Sequence, residues 1–178
     1  RLAQPGPHVI DHPPAPDEPI AGQHVPVDKG GEELLGKNPR QIHDIGVSMA
    51  FVPEDRLGMG LVGSMGMADN MMLKTYRSGR GPLLDRKPPR QLAERVKEEL
   101  DVLTPSINTP VRRLSGGNVQ KVLVGREIAQ NPSVLMTAYA VRGLDINTSY
   151  TIYNLLTAQK LKGVAVIYVG EDLDVLLE

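Results

Sequence analysis

The sequence predicts an α/β fold built around a parallel β-sheet. Two apolar runs, Val134-Leu135-Met136 and residues 164–169, flank a segment in which apolar residues recur at helical spacing. A strand, a helix and a second strand in this order form a βαβ unit, for which a right-handed crossover is expected. Because the runs are apolar without alternation, we expect the sheet to be buried on both faces.

The composition excludes several classes of protein. The chain has 178 residues, which is the length of one domain and enough to bury a core. Its formal net charge of -1 provides no bulk positive field, which argues against a general nucleic-acid binder. The chain has no cysteine, which excludes disulfides, thiol nucleophiles and sulfur-ligated zinc.

No stretch of the sequence is typical of membrane insertion or of secretion. A spanning helix needs about 20 consecutive apolar residues, and no run approaches that length. The N-terminus lacks the basic-then-apolar order of a secretion signal. We therefore expect any connection to a membrane to be made through a partner protein.

Residues 1–28 are predicted to be poorly structured. Seven of the fifteen prolines fall in this segment, and its apolar residues show no periodicity. His8, His12 and His24 are irregularly spaced among these prolines, so they provide no rigid geometry for a metal ion. We predict no metal site.

The first predicted strand and the first predicted helix lie on either side of a Gly- and Met-rich passage. Residues 47–52 form a short apolar strand, and Pro53 ends it because proline cannot donate to a ladder. Four leucine and valine residues then recur at helical spacing between charged residues: Leu92, Val96, Leu100 and Leu103. This pattern predicts an amphipathic helix that ends before Pro105.

Ser115 is predicted to cap the next helix at its N-terminus. A periodic apolar stretch follows it and stops at Asn131-Pro132. The βαβ helix carries Ile152 and Leu156, and Gly163 is its predicted terminator.

These elements predict one incomplete domain. Strands are expected near residues 47–52, 133–137 and 164–169, and a helical subdomain at about 65–130, all within a domain that spans 29–178. Residues 173–177 are apolar at helical spacing and carry no stop signal, so we expect the natural domain to continue beyond Glu178.

The segment Gly31–Asn38 nearly matches a phosphate-binding loop. Such a loop needs glycines for a backbone nest, a lysine for the phosphates and a Ser or Thr hydroxyl for magnesium. Here Asn38 lacks the hydroxyl, and Glu32 and Glu33 place negative charge where phosphates would bind. No buried strand leads into Gly31. We therefore predict that this segment does not bind nucleotide.

The segment Leu114-Ser115-Gly116-Gly117-Asn118 is more informative. Two glycines and a serine at a helix start expose N–H donors and a hydroxyl where the helix dipole is positive, which suits a phosphate group. The residues alone are equally compatible with a plain helix cap.

The surrounding motifs resemble a known family. Their order and spacing agree over residues 30–178, and they comprise Val52-Pro53-Glu54-Asp55-Arg56, Gly60-Leu61-Val62, Leu114 to Asn118 with Gln120-Lys121, Gly125 to Ala129, Asn131-Pro132, Arg142-Gly143-Leu144-Asp145 and Gly170 to Asp174. The chain is similar to the ATP-binding subunits of ABC transporters, in particular the tandem-domain type that energises uptake of simple sugars and nucleosides. The resemblance implies a RecA-like parallel-sheet core with a helical subdomain.

The resemblance also implies roles for individual residues. In this family two nucleotide-binding domains close head to tail around ATP. Ser115, Gly116 and Gly117 would then touch the terminal phosphate of an ATP held by another domain, with Asn118 and Gln120 also in that site. Two acidic residues and one interface residue take further family positions: Glu54 at the Q-loop, Glu171 at the switch and Asp145 in the loop that spans the dimer interface.

Three departures from the family pattern argue against independent catalysis. Ala138 stands where relatives have the magnesium-linked Asp, and Tyr139 where they have the catalytic Glu. A methyl group offers no ligand, and a phenol with a pKa near 10 is a poor base at neutral pH. The family's phosphate loop should lie upstream of Gly36-Lys37, where nothing matches it, so that loop is expected to be deleted or replaced.

Two functions remain as alternatives. The first is the second, degenerate ATPase domain of an ABC importer subunit, which lends its signature helix to ATP on another domain and does not hydrolyse ATP unaided. The second is a structural half-site that docks membrane and ATPase partners without touching nucleotide. DNA-linked ATPases are disfavoured by Asn118 after the two glycines and by the absence of coiled-coil heptads.

The resemblance implies ATP and Mg²⁺ only in the assembled transporter, and no cofactor for the isolated chain. It implies two partners, another nucleotide-binding domain and transmembrane permease subunits, and no nucleic acid. The location it implies is cytoplasmic, at the inner face of the membrane through the permease.

Overall fold

The computed structural model describes residues 28, 29, 31–76 and 84–171. Contacts divide the chain into two compact units, Arg1–Lys37 and Asn38–Glu178. Most of the segment predicted to be poorly structured, residues 1–28, lies outside the described residues, as do its three histidines and the apolar stretch 173–177.

The described part of the first unit contains one small hairpin. Strands β1 (Asp28–Lys29) and β2 (Glu32–Glu33) pair in antiparallel register. The turn between them contains Gly31, whose φ of 85° favours glycine. Lys37, the lysine of the near match to a phosphate loop, pairs through Nζ with Glu32 Oε1 at 3.2 Å.

The second unit begins with a short helix and leads into the sheet. Helix α1 (Pro39–Asp44) starts at Asn38, whose side chain accepts hydrogen bonds from the amides of Arg40 and Gln41. The Gln41 side chain accepts in return from the Asn38 amide, which completes a capping box. Strand β3 (Met49–Val52) follows.

Among the described residues, three helices and two short turns separate β3 from the next strand. A π-helical turn spans Arg56–Gly60, and helix α2 spans Met67–Thr75. Helix α3 spans Lys87–Glu99. A 3₁₀ turn, Val111–Arg113, leads into helix α4, Gly116–Ile128.

The chain then completes a βαβ unit. Strand β4 spans Val134–Ala138, helix α5 spans Ile146–Leu161 and strand β5 spans Ala165–Val169. The three strands form one parallel sheet in the order β3-β4-β5. Gly163, with a φ of 86°, follows the end of α5. The predicted strands, their parallel pairing and this terminator are confirmed.

One face of the sheet forms the core. Aligned residues Ala50 and Leu135 are buried and pack with apolar residues of α4 and α5, among them Val122 and Ile152. The opposite face carries Met49, which is 67% exposed, and Ile167, which is 49% exposed. The prediction of burial on both faces is therefore wrong for the described part of the chain, because α4 and α5 pack on the same face.

The predicted amphipathic helix is shorter than its sequence pattern. Leu92 and Val96 lie on α3 and pack on the core, but the helix ends at Glu99. Asp101 then takes a left-handed conformation with a φ of 47°, and Leu103 is 70% exposed. The prediction that this helix includes Leu103 is wrong, because the left-handed conformation of Asp101 turns the chain away from the helix two residues earlier.

Candidate functional site

Helix α4 begins with the Ser-Gly-Gly segment, and the predicted cap is confirmed. The Ser115 hydroxyl accepts hydrogen bonds from the amide of Asn118 at 3.4 Å and from its side-chain Nδ2 at 2.8 Å. The Asn118 Oδ1 accepts in turn from the amide of Leu103 at 2.9 Å. Asn118 therefore fixes the first turn of α4 to the loop that follows α3.

The amides of Gly116 and Gly117 remain available. Among the described residues, no atom accepts a hydrogen bond from either amide. Unpaired first-turn amides and the positive end of the helix dipole together favour an anion. This end of α4 is therefore chemically suited to a phosphoryl group.

Gly117 allows α5 to approach the start of α4. A Cβ at position 117 would lie 2.9 Å from Thr148 Oγ1, which is closer than side chains normally tolerate. Thr148 lies in the first turn of α5, where its hydroxyl donates to Asp145 Oδ2 at 2.7 Å. The loop before α5 is thus linked through Thr148 to the glycines of α4.

Asp145 is the N-cap of α5. Its Oδ1 also accepts from the Thr148 amide at 3.0 Å. These hydrogen bonds from Thr148 stabilise the charged carboxylate and hold the pKa of Asp145 below its usual value. The residue itself is exposed.

The turn after β3 supplies a guanidinium group near the same end of α4. Arg56 Nε donates to Gln120 Oε1 at 2.7 Å, and its Nη2 donates to the carbonyl oxygen of Arg142. Gln120 is fully buried. It can therefore act on a bound phosphoryl group only through its neighbours, and Arg56 is the neighbour that it holds.

Glu54 lines a cleft beside the start of α4. This cleft of about 380 Å³ is lined by Glu54, Asp55, Arg56 and Gly116, among other residues. The Glu54 carboxylate pairs with Arg142 Nη1. This bond raises the pKa of Arg142, and the charge of Glu171 acts in the same direction.

A second cleft, of about 270 Å³, lies where β4 and β5 end. Tyr139, Arg142, Tyr168 and Glu171 are among its lining residues. Tyr139 has a φ of 51°, and its amide donates to the carbonyl of Val169 at 2.7 Å. The Arg142 guanidinium lies 5.8 Å from the centre of the Tyr139 ring, within cation–π range.

The residues at this strand edge do not fit a magnesium site. Ala138 is the last residue of β4 and Tyr139 follows it, so the two positions that would supply carboxylates carry none. Glu171 is the acid that lines the cleft at this edge, and Glu54, at the position that corresponds to the Q-loop, is paired with Arg142. Within the described residues, no three His, Asp or Glu side chains come together in a way that could hold a metal ion.

The structure thus brings together most of the residues singled out by sequence. Ser115, Gly116, Gly117 and Asn118 form the start of α4, and Asp145 reaches it through Thr148. Arg56 belongs to the motif Val52-Pro53-Glu54-Asp55-Arg56, but no sequence signal marks its position in the site, because its partners lie 64 and 86 residues away.

Sequence comparison relates the chain to sugar-import proteins. Ribose import ATP-binding protein RbsA 2 of Streptomyces coelicolor is 37% identical over 153 residues, which cover 83% of this chain and 29% of that protein. Arabinose import ATP-binding protein AraG 2 of Burkholderia ambifaria is 37% identical over 155 residues, covering 86% of this chain and 29% of that protein. The chain therefore spans less than a third of the length of these relatives. No protein-family model matches the chain.

Solved structures show the same fold. A dimeric ATP-binding cassette in a post-hydrolysis state, bound to ADP and Pi, matches with a TM-score of 0.65 at 21% identity, over 83% of this chain and 62% of that chain. A nucleotide-free cassette from an ABC transporter matches with a TM-score of 0.60 at 20% identity, over 82% of this chain and 59% of that chain. The predicted α/β fold with a RecA-like parallel sheet is confirmed.

Proposed function

Because the chain belongs to the ABC ATPase family, we propose that it is part of the energy-coupling, ATP-binding subunit of an importer for sugars or nucleosides. Its part in that subunit is to present the start of α4 to an ATP molecule held by another nucleotide-binding domain. The observation that carries the proposal is the pair of unpaired amides at Gly116 and Gly117, beside the Ser115 hydroxyl. These donors would stabilise negative charge on the terminal phosphate.

The chain's own residues have defined parts in this proposal. Ser115, Gly116 and Gly117 bind phosphoryl oxygens, and Asn118 keeps the first turn of α4 in place. Asp145 lies in the loop that faces the second domain. ATP and Mg²⁺ supply the phosphoryl group and its counter-charge in the assembled transporter. Because Ala138 and Tyr139 carry no carboxylate, the proposal assigns this chain no magnesium site and no hydrolysis of its own.

The proposed partners are a second nucleotide-binding domain and the permease subunits. No helix in the described part of the chain is long and apolar enough to cross a bilayer. We propose that contact with the membrane is made through the permease, on the cytoplasmic side.

A second candidate is a half-site that docks partners without touching nucleotide. The observation that favours it is the strand edge at Ala138 and Tyr139, where the ring of Tyr139 and the guanidinium of Arg142 take the place of acidic groups. This candidate differs from the first in one respect only, because it leaves the amides of Gly116 and Gly117 without a ligand.

Titration of the ¹⁵N-labelled full chain with Mg-ATP separates these possibilities. We expect the amide signals of Gly116 and Gly117 to shift only when a second nucleotide-binding domain that holds the ATP is present, and we expect Lys37→Ala to leave the titration unchanged. If Mg-ATP shifts only signals near Gly36 and the effect vanishes in Lys37→Ala, then the segment Gly31–Asn38 binds nucleotide and the proposal fails. If no amide signal of Gly116 or Gly117 in a folded chain shifts even with that second domain present, the structural half-site is the better description.

A further inference from the structure

The guanidinium of Arg56 has two nitrogens anchored and one free. Nε donates to Gln120 Oε1 at 2.7 Å, and Nη2 donates to the carbonyl oxygen of Arg142. Among the described residues, Nη1 has no acceptor. A Cβ at Gly116 would lie 3.6 Å from Nη1, so the free nitrogen lies beside the first residue of α4.

The anchors of Arg56 are rigid. Gln120 is fully buried in α4, so its side chain has little room to follow a moving guanidinium. Arg142 contributes a main-chain carbonyl. An arginine held at both ends of its planar fork loses little further freedom when it binds a ligand.

The acidic residues in the same cleft do not neutralise Nη1 directly. The Glu54 carboxylate bonds to the side chain of Arg142, and Asp55 Oδ1 accepts from the Gly58 amide at 2.8 Å. Burial lowers the pKa of Arg56 and the charge of Glu54 opposes that effect, but a guanidinium stays protonated at neutral pH. The cleft therefore presents a fixed positive charge beside the unpaired amides of Gly116 and Gly117.

We propose that Arg56 is a phosphoryl-binding residue of the α4 site, in which Nη1 donates to an oxygen of the phosphate chain that meets Gly116. Gln120 is its positioning residue. This inference rests on the proposed function, because it assumes that the start of α4 receives a phosphoryl group. It adds a charged side-chain donor from a separate element to a site otherwise made of main-chain amides and one hydroxyl.

The test uses inorganic pyrophosphate as the probe and the ¹⁵N-labelled full chain as the protein. Pyrophosphate is titrated at constant ionic strength while the amide signals of Gly116, Gly117 and Asn118 are followed. We expect Arg56→Gln to weaken binding at least about tenfold, as the loss of a charge-assisted hydrogen bond implies. Arg56→Lys keeps the charge but loses the planar fork of the guanidinium, so its affinity for pyrophosphate should lie between those of wild type and Arg56→Gln.

The matched control is Arg95→Gln. Arg95 is exposed on α3 and lines a groove with Gly125 and Ile128, near the other end of α4. The substitution Arg95→Gln makes the same change in net charge far from the site, and we expect it to alter the affinity for pyrophosphate less than twofold. A spectrum that retains its dispersion shows that each variant is folded. If Arg56→Gln unfolds the chain, Arg56→Lys alone decides, because an affinity equal to wild type overturns the assignment.

The outcomes distinguish a failure of the Arg56 assignment from a failure of the proposed function on which it rests. If wild type binds pyrophosphate at the start of α4 and Arg56→Gln binds it as tightly as Arg95→Gln does, the assignment of Arg56 is wrong and the proposed function stands. If wild type shows no shift at Gly116 and Gly117, the phosphoryl site itself fails, and Arg56 with it.

Discussion

The buried carboxylate of Glu127 links α4 to Lys74 of α2 and pairs with Arg126, which in turn links α4 to the turn at Gly60, so replacing Glu127 should be costly. Its Oε1 accepts from Arg126 Nη2 at 2.8 Å, and its Oε2 accepts from Lys74 Nζ at 3.0 Å. Arg126 also donates to the carbonyl of Gly60 at 2.7 Å. The Glu127 side chain is 1% exposed and that of Arg126 is 6% exposed, so neither charge is solvated by water.

Glu127→Gln keeps the shape of this side chain but removes its charge. The buried guanidinium of Arg126 then loses its counter-ion, and breaking a buried pair in this way typically costs about 3–5 kcal/mol. A domain has only about 5–15 kcal/mol of stability in total, so this variant should lose a substantial fraction of its stability. Lys74→Met should cost no more than about 1 kcal/mol, because Lys74 is 39% exposed and Glu127 keeps Arg126 as its partner.

A double variant separates the buried charge from mere loss of contacts. Replacing Arg126 and Glu127 together by methionine removes both charges, and replacement of a whole buried pair by apolar residues is often close to neutral. We therefore expect the double variant to be more stable than Glu127→Gln. In the double variant the carbonyl of Gly60 loses its donor Arg126, and this loss accounts for the stability that the double variant still lacks relative to wild type.

Urea unfolding followed by far-UV circular dichroism measures these differences. A loss of about 3–5 kcal/mol corresponds to a lower midpoint by about 1–5 M, given slopes of about 1–3 kcal/mol per M. A Glu127→Gln variant whose stability lies within about 1 kcal/mol of wild type would refute the role of the buried charge. A double variant less stable than Glu127→Gln would refute it equally, because the loss would then come from contacts rather than from an unpaired charge.

Three further changes test the start of α4 and its neighbour α5. Gly117→Ala should lower stability by about 1–3 kcal/mol, because its Cβ would meet the stiff side chain of Thr148. Gly116→Ala should not lower stability, because its Cβ would lie 3.6 Å from the nearest atom, Arg56 Nη1. Thermal unfolding of the two variants compares them directly. Ser115→Ala should cost about 1 kcal/mol through loss of the helix cap, measured in urea. Folding lowers the pKa of Asp145, so its contribution to stability is complete above its ordinary pKa and is lost as pH falls through its pKa in the folded state. Asp145→Asn should therefore flatten the acid-unfolding curve below about pH 4. An unchanged curve would contradict this.

The sheet could be predicted from the sequence better than its surroundings. Apolar runs located β3, β4 and β5 to within two residues, because unbroken apolar strands contrast with the polar segments around them. The short helix α1 was missed, although Asn38 and Gln41 form a capping box that could have indicated it. The π-helical turn at Arg56–Gly60 has no such signal, because it depends on the Asp55 side chain and on packing.

The same limit applies to the site. Ser115 could be identified as a cap because a cap is local, made by residues three positions apart. The approach of Thr148 to Gly117 joins positions 31 residues apart, and nothing in the pattern of either segment predicts it. Sequence periodicity reports which face of an element is apolar, but not which polar side chains meet once those faces have packed.

Arg56 shows how packing gives a side chain a position that its motif does not reveal. Within the motif it is one charged residue in a polar turn, and a solvated arginine is the ordinary expectation there. Once β3 and α4 pack, its acceptors among the described residues are a buried glutamine and a main-chain carbonyl, which use two of its nitrogens and leave the third beside Gly116. A chain without acids at positions 138 and 139 can still contribute charge stabilisation to another domain's ATP, because that contribution needs fixed donors and not a base.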